Sequence, residues 1–217
     1  MKIQWLGHAC FLLTSEGGTR IITDPYTPGA FGLDYRPIAE EADIVTVSHE
    51  HADHNNVADV KGKPQVVRGA GSHEAKGIRF KGVATYHDPS SGSQRGANVM
   101  FCFAVDGVDV CHLGDLGHDL GDRAVADAGP VDVLLVPVGG NFTIDAAVAN
   151  RVCEKLKPKV IIPMHFQNER CPNFPVAGVD EFAALRSSVK RLDGSEVTIR
   201  KEELPSTVET VVLRPGR

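Results

Sequence analysis

The chain has no excess of positive charge: 23 lysines and arginines stand against 28 aspartates and glutamates, a net charge of −5 at pH 7. A protein that holds nucleic acid through a broad basic surface needs the opposite balance. No apolar run approaches the roughly 18 residues that span a bilayer, so no membrane segment is read. There is no CxxC pair, and the cysteines (Cys10, Cys102, Cys111, Cys153 and Cys171) are odd in number. No disulfide framework is legible, and these thiols read as small buried hydrophobes. The opening MKIQWLGHACFLL lacks a clean apolar core and a small-residue cleavage site, so it does not read as a signal peptide. A reducing cytoplasm is the expected home. Repeats, low-complexity tracts and linkers are missing as well. The whole chain, 1–217, therefore reads as one domain. Its composition, 42% hydrophobic and 24% charged, is that of a folded globular protein rather than a disordered chain or a coiled coil.

What is present is mostly strand-like. Ile3 and Trp5 alternate with Lys2 and Gln4, Ala9 to Thr14 is apolar, and SEGG at 15–18 turns the chain back into Arg20 to Thr23. Asp43 to Ser48, Pro64 to Arg68, Gly77 to Tyr86 and Val131 to Val138 read as further strands. Asn98 to Val105 and Val108 to His112 form a hairpin through Asp106-Gly107, a pair suited to a type I′ turn. Thr143 is placed to cap a helix carrying Val148, Val152 and Leu156, which Pro158 stops. Val160 to Met164 is a strand. Asp180 is placed to cap a second helix with Phe182, Leu185, Val189 and Leu192 on one face. Glu196 to Arg200 and Val208 to Leu213 finish as strands, while 29–32 and 90–96 read as surface loops. Strands interspersed with helices define an α/β or α+β layered protein.

Nine histidines stand out. His49, His51, Asp53 and His54 fall within HEHADH, directly after a buried strand. Imidazole and carboxylate are the ligands that Zn²⁺ and related ions take. A solvated polar loop explains one histidine there better than it explains this whole set. His87, Asp115 (in HLGD) and His165 each follow a strand end, which fits loops gathered at one edge of a sheet. The chain has no GxSxG motif, so no serine nucleophile of that kind is indicated.

HEHADH resembles the HxHxDH signature of the metallo-β-lactamase fold, and the resemblance covers nearly the whole chain. GHACFLL followed by IITDP looks like the opening hairpin of that fold, and VSHEHADH, His87, HLGDLG and IIPMHF follow in the family's order. The segment PVGGNFTID…LKPKVIIPMH is similar to the branch containing ascorbate-6-phosphate lactonase and many metal-dependent hydrolases. The resemblance implies a four-layered αββα sandwich with two metals at one edge. By position, it implies His49, His51 and His87 on the first metal and Asp53, His54 and His165 on the second, with Asp115 bridging. The flank YHDPSSGSQRG departs from the GHTPG-like loop of many relatives, which leaves His73 and His112 as alternatives to His87.

Further roles stay open between function and plain structure. Asp24, in TDP, either supports the metal-binding loops or forms a turn before Pro25. His8, in GHACF, either orients a ligand or is a half-buried strand histidine. His118, in GDLGH, either touches substrate or is exposed at a helix start. Asn141 and Thr143, in GGNFT, either contact substrate or serve the next helix. Cys171 reads as a buried bystander.

Two divalent ions about 3.5–4 Å apart share a water and lower its pKa from 15.7 toward neutrality. The expected activity is hydrolysis of a small ester, lactone or phosphodiester by a bridging hydroxide, with Asp53 also orienting it or passing a proton to the leaving group. The ions, Asp53, Asp115 and hydroxide together net about +1, which favours anionic or carbonyl-bearing substrates. Histidine-rich ligation suits Zn²⁺, and the same set accepts Mn²⁺ or Fe²⁺. A nuclease acting on RNA or DNA is the alternative, disfavoured by the acidic balance and the lack of a long basic insertion. A di-iron redox protein is another. Members of that class usually replace the second histidine of the signature with Glu, whereas His51 is retained and no flavin domain is fused. A non-catalytic binding module would lack ligands, and none is obviously missing. The expected partner is a small molecule, and homo-oligomerisation stays open.

Overall fold

Strands dominate because apolar β-branched runs alternate with turn residues along most of the chain. The computed structural model describes all 217 residues. In chain order the elements are β1 (Lys2–Gly7), β2 (Cys10–Thr14), β3 (Arg20–Thr23), β4 (Glu41–Val47), β5 (Lys61–Arg68), β6 (Gly71–Ala75), β7 (Ile78–Tyr86), β8 (Ala97–Val105), β9 (Val108–His112), α1 (Asp122–Ala128), β10 (Val133–Pro137), α2 (Ala146–Leu156), β11 (Val160–Met164), α3 (Asp180–Ala183), β12 (Val189–Arg191), β13 (Glu196–Thr198) and β14 (Glu209–Val212).

The strands form two sheets, a six-stranded one in the order β13-β1-β2-β3-β4-β5 and an eight-stranded one in the order β12-β14-β11-β10-β9-β8-β7-β6. β3, β4 and β5 run parallel, as do β9, β10, β11, β14 and β12, and the remaining neighbours are antiparallel. Parallel strands buried on both faces need continuous apolar runs. VLLVP of β10 and VIIPM of β11 are buried at every position. The β8–β9 hairpin turns at Asp106 (φ 53) and Gly107 (φ 75), both left-handed as a type I′ turn requires.

Ile3, Trp5, Phe11 and Leu13 of the first sheet join residues of β8 to β11 in one apolar cluster. α1 packs on β7, and α2 packs on β10 between α1 and α3, so the helices cover the outer face of the eight-stranded sheet. The outer face of the other sheet presents Leu6, Leu12, Ile22 and Val45. These pack with Tyr26, Leu33, Tyr35 and Ile38 of the segment after β3. That outermost layer is a loop with short 3₁₀ turns at Ala30–Gly32 and Val57–Asp59. No helix is long and apolar enough to cross a membrane.

Local expectations fail at two helices. Asp145, not Thr143, caps α2, its side chain accepting from the Val148 amide at 2.8 Å. Both residue types are good caps; the turn that holds Thr143 back is closed by the Ile144 amide bonding to Leu116 O at 2.9 Å. The expected helix from Asp180 through Leu192 stops at Ala183. Val189 to Arg191 instead adds an edge strand parallel to β14, and Leu185 is exposed. The β-branched Val189 finds a better partner in that ladder than in a further helical turn.

Candidate metal centre

β1, β3, β4, β7, β9 and β11 all run in the same sense within their sheets. The chain leaving their C-terminal ends carries His8, Asp24, His49, His87, Asp115 and His165 respectively. Side chains far apart in sequence therefore converge at one edge of the sandwich. His8, Asp24 and His165 hold left-handed backbone angles, φ 53, 38 and 52. Such conformations in non-glycine residues persist only where the surroundings hold them, and they concentrate at functional sites.

His49, His51 and His87 lie together as one group of donor atoms, and His8, Asp53, His54 and His165 as another; Asp24 forms a third group with His49 and His54 and so joins the two. Asp115 stands between them. Its Oδ2 is 3.1 Å from His54 Nε2, 3.2 Å from His87 Nε2, 3.4 Å from His165 Nε2 and 3.9 Å from His49 Nε2. All these residues are buried except His51, which reaches toward solvent. His54 Nε2, His87 Nδ1, Asp115 Oδ1 and His165 Nδ1 are buried without a hydrogen-bond partner. A buried orphan of this kind costs about 1–3 kcal/mol, and His54 Nε2 and Asp115 Oδ1, unpartnered among donors of this chemistry, fit a divalent cation.

Behind the donors a second network sets the tautomers. Ser48 donates to Asp24 through its amide (2.8 Å to Oδ1) and its hydroxyl (2.5 Å to Oδ2). That leaves Ser48 Oγ to accept from His49 Nδ1 at 2.9 Å, while His54 Nδ1 donates to Asp24 Oδ2 at 2.9 Å. Both imidazoles thereby turn Nε2 toward the centre, His49 Nε2 lying 3.0 Å from His51 Nδ1, and a carboxylate behind a histidine in this way prepares a metal ligand. His8 Nε2 pairs with Asp53 Oδ2 at 3.1 Å. Asn98 holds the loop of Asp115: its Oδ1 accepts from the Asp115 amide at 2.9 Å, and its Nδ2 donates to Thr85 Oγ1 and Leu113 O. Gly114 (φ 55) lies against Ser48 and Asn98, where a Cβ has no room.

Proton affinities follow from this crowding. Burial holds His49 down at about 3, helped by the charge of His54, and burial with the charge of His165 holds His8 down at about 4. Burial also lowers His51, with His87 adding to it. Burial alone would lower His54, but the charges of Asp115 and Asp53 outweigh it and hold it well above its ordinary value. Burial likewise works to raise Asp24, Asp53 and Asp115. It is outweighed by the hydrogen bond from His54 at Asp24, by the charge of His54 at Asp53, and by the charges of His165 and His54 at Asp115.

The other candidates lie outside the donor cluster. His73 is in β6, its Nε2 on Gly69 O at 2.9 Å, and His112 is buried with Nε2 on Ala9 O at 2.8 Å. His87 is the histidine that the fold brings to the cluster. His118 donates from Nδ1 to Asp119 O at 2.7 Å and accepts the Tyr86 amide at Nε2 at 3.3 Å, so it braces the chain just before His87. Asn141 adopts φ 59 and donates to Pro175 O at 2.9 Å. Cys171 is buried against Tyr35 Oη and Phe166 O.

A cavity of about 440 Å³ opens over the cluster, reaching His51, Asp53, His87, Asp115 and His165 and walled by Phe31, Phe142, Phe174 and Pro175, with Arg95 at its side. Ser48, Asn98, Arg95 and the aromatic wall have no place in the signature residues. Asn98 carried the one legible signal, a polar side chain in the otherwise apolar run of β8.

Two facing sheets with histidines and aspartates gathered at one edge define a metallo-β-lactamase type of centre. A family model described as a β-lactamase superfamily domain matches residues 2–165. A UPF0173 metal-dependent hydrolase of Carboxydothermus hydrogenoformans is 32% identical over 92% of this chain and all of that one. One from Archaeoglobus fulgidus is 30% identical over all of this chain and 97% of the relative. The crystal structure of a candidate Zn-dependent hydrolase of the metallo-β-lactamase superfamily from Thermotoga maritima is 40% identical, with a TM-score of 0.81, covering 98% of this chain and 97% of that one. The chain belongs to the β-lactamase superfamily and, within it, to the UPF0173 family.

Proposed function

We propose that this chain cleaves a small ester, lactone or phosphodiester at a dinuclear centre, with His49, His51 and His87 holding one ion, Asp53, His54 and His165 holding the other, and Asp115 between them. The chain is a metal-dependent hydrolase of the metallo-β-lactamase superfamily. The observation that carries the dinuclear centre is the gathering of His49, His51 and His87 on one side of Asp115 and of Asp53, His54 and His165 on the other, with unpartnered nitrogen and oxygen atoms among them.

When bound, such ions supply a water acidified toward neutrality and a Lewis acid for the substrate oxygen. The chain's own residues do the rest. Asp24 and Ser48 hold His49 and His54 in the tautomer that faces the centre. His8 holds Asp53 by Oδ2, and Asp53 lines the cavity, so this carboxylate is placed to orient the attacking water or hand a proton to the leaving group. Phe31, Phe142, Phe174 and Pro175 give the cavity an apolar wall against which a substrate body can pack. A cavity of about 440 Å³ and a net charge of −5 support a small molecule over a nucleic acid. The donor chemistry supports Zn²⁺ first, with Mn²⁺ or Fe²⁺ as alternatives. The cysteines are buried, with Cys102 and Cys111 in contact across β8 and β9, and an odd number without a CxxC pair supports a reducing, cytoplasmic setting.

The test is hydrolysis of phenyl acetate, δ-valerolactone and bis(4-nitrophenyl) phosphate by metal-loaded protein, compared with chelator-treated protein and with Asp115→Ala. Turnover of at least one ester-type substrate that chelation abolishes, together with loss of metal in Asp115→Ala at unchanged circular dichroism, is the expected result. Turnover that survives chelation, or full metal content in Asp115→Ala, contradicts the proposal.

A further inference from the structure

We infer that the substrate carries an oxyanion, a carboxylate or phosphate, beside the bond that is cleaved, and that Arg95 binds it. The inference rests on the hydrolase reading above and names its class of substrate.

Arg95 lines the same cavity as His51, Asp53, His87 and Asp115. Many arginines of the chain pair with carboxylates, as Arg20 does with Glu41, Arg68 with Glu50, Arg151 with Asp119 and Arg191 with Asp180; Arg36, Arg79, Arg170 and Arg186 make no such pair, and none of them lines the cavity. The Arg95 guanidinium has no carboxylate partner and donates to no protein oxygen. Its one specific contact is with the face of the Phe142 ring, 5.7 Å from the centroid. Stacking of this kind orients the guanidinium while its fork of N–H donors stays free for a bidentate oxyanion.

The backbone beneath it is fixed. SSGSQRG reads as a loose surface loop, yet the buried Asp88 carboxylate gathers it. Oδ1 accepts the amides of Ser90 (2.8 Å) and Gly92 (3.1 Å), and Oδ2 accepts those of Gln94 (3.0 Å) and Arg95 (2.8 Å). Asp88 directly follows His87. One buried carboxylate thus ties the residue that reaches the metal centre to the residue that carries the free cation, and so fixes the span between the reacting bond and the anion.

The rest of the wall is apolar, formed by Phe31, Phe142, Phe174 and Pro175. A charge pair against such a wall is screened less than one in open water. The pocket therefore matches an apolar or flat body with one oxyanion at its side. A cationic substrate would meet an unpaired guanidinium, and a neutral one would gain nothing from its charge.

The test is calorimetric titration of metal-loaded protein with 4-phenylbutyrate, 3-phenylpropylphosphonate and the neutral 4-phenylbutyramide, in wild type, Arg95→Met and Arg95→Lys. Arg95→Met is expected to weaken at least one of the two anions tenfold or more and to change the amide less than twofold, with metal content and melting temperature as in wild type. Arg95→Lys, which keeps the charge and loses the fork, is expected to fall between. The anion that loses more identifies carboxylate or phosphate as the natural group. Unchanged affinity for both anions in Arg95→Met, or an equal loss for the amide, overturns the inference. Hydrolysis of phenyl acetate, δ-valerolactone and bis(4-nitrophenyl) phosphate is measured alongside. If none is turned over while the anion effect holds, the ester, lactone or phosphodiester reading fails and the Arg95 site stands; if one is turned over without an anion effect, the reverse holds.

Discussion

Asp24 Oδ2 lies 2.9 Å from His54 Nδ1, with both residues fully buried. The same carboxylate holds Ser48, and Ser48 in turn holds His49. One side chain behind the site therefore sets the ring orientation of a histidine in each donor group.

Removing that charge should weaken both groups at once. Asp24→Asn keeps the size and loses the anion behind His54, and a change of this kind costs about 10- to 100-fold in metal affinity. Chelator competition should show that loss for Asp24→Asn, while the exposed Asp34→Asn leaves affinity unchanged. Equal affinity in the two variants would mean that Asp24 serves only the turn before Pro25.

Asn98→Ala should act on stability as well as on the site. It strips partners from the Asp115 amide and Leu113 O in a buried setting, while Thr85 Oγ1 loses the Asn98 amide and keeps its bond to Asn98 O. Leaving such groups unpaired costs about 1–3 kcal/mol each, less whatever water recovers. Urea denaturation should show a loss of at least about 2 kcal/mol, and metal affinity should fall with it. A loss below about 0.5 kcal/mol would contradict the network.

Gly117 tests the seat of His87. A Cβ there would overlap the backbone of His87 and Asp88, whereas one at Gly194 meets open space. Gly117→Ala should push the His87 loop away and lower metal content, with Gly194→Ala unchanged in elemental analysis. Full occupancy in Gly117→Ala would show that His87 is dispensable.

The pH dependence of metal-free protein follows from two opposed shifts. His8 and His49 are held down, near 4 and 3. Between those values and the unfolded value near 6.5 the unfolded chain binds the extra protons, so stability rises with pH there and is lost on acidification. At 1.36 kcal/mol per unit the loss from His8 alone is about 3 kcal/mol. The depressed Asp24, Asp53 and Asp115 extend the acid loss below pH ~4. His54 is raised, so its contribution is complete below pH ~6.5 and disappears as pH climbs through its folded value. Urea midpoints of chelated protein should fall from pH 6.5 toward pH 4. Calorimetry in two buffers at pH 7 should show proton release on metal uptake, because His54 gives up its proton to become a ligand. Uptake without proton release would contradict the His54 assignment.

Much of the site is legible in the sequence because its chemistry is compact. His49, His51, Asp53 and His54 share six residues after one strand, and His87, Asp115 and His165 each follow a strand end that an apolar run announces. The β8–β9 hairpin is legible from Asp106-Gly107 for the same local reason. What is not legible depends on pairing at a distance. The stretch after Asp180 carries helical spacing, yet Val189 to Arg191 joins β14. β6 and α1 carry little apolar signal, since β6 is mostly exposed and α1 buries only Ala128. Arg95 reads as part of a loose Ser/Gly loop, because the local pattern gives no sign that the buried Asp88 carboxylate gathers the amides of that loop.

The central claim is that this edge of the sandwich holds a pair of divalent ions, and the direct measurement is metal content per chain by elemental mass spectrometry on protein purified without added metal or a histidine tag. About two equivalents of zinc, manganese or iron per chain, falling to well under one in Asp115→Ala, is the result the two-group geometry predicts. Little or no metal after reconstitution, with the fold intact, would contradict it.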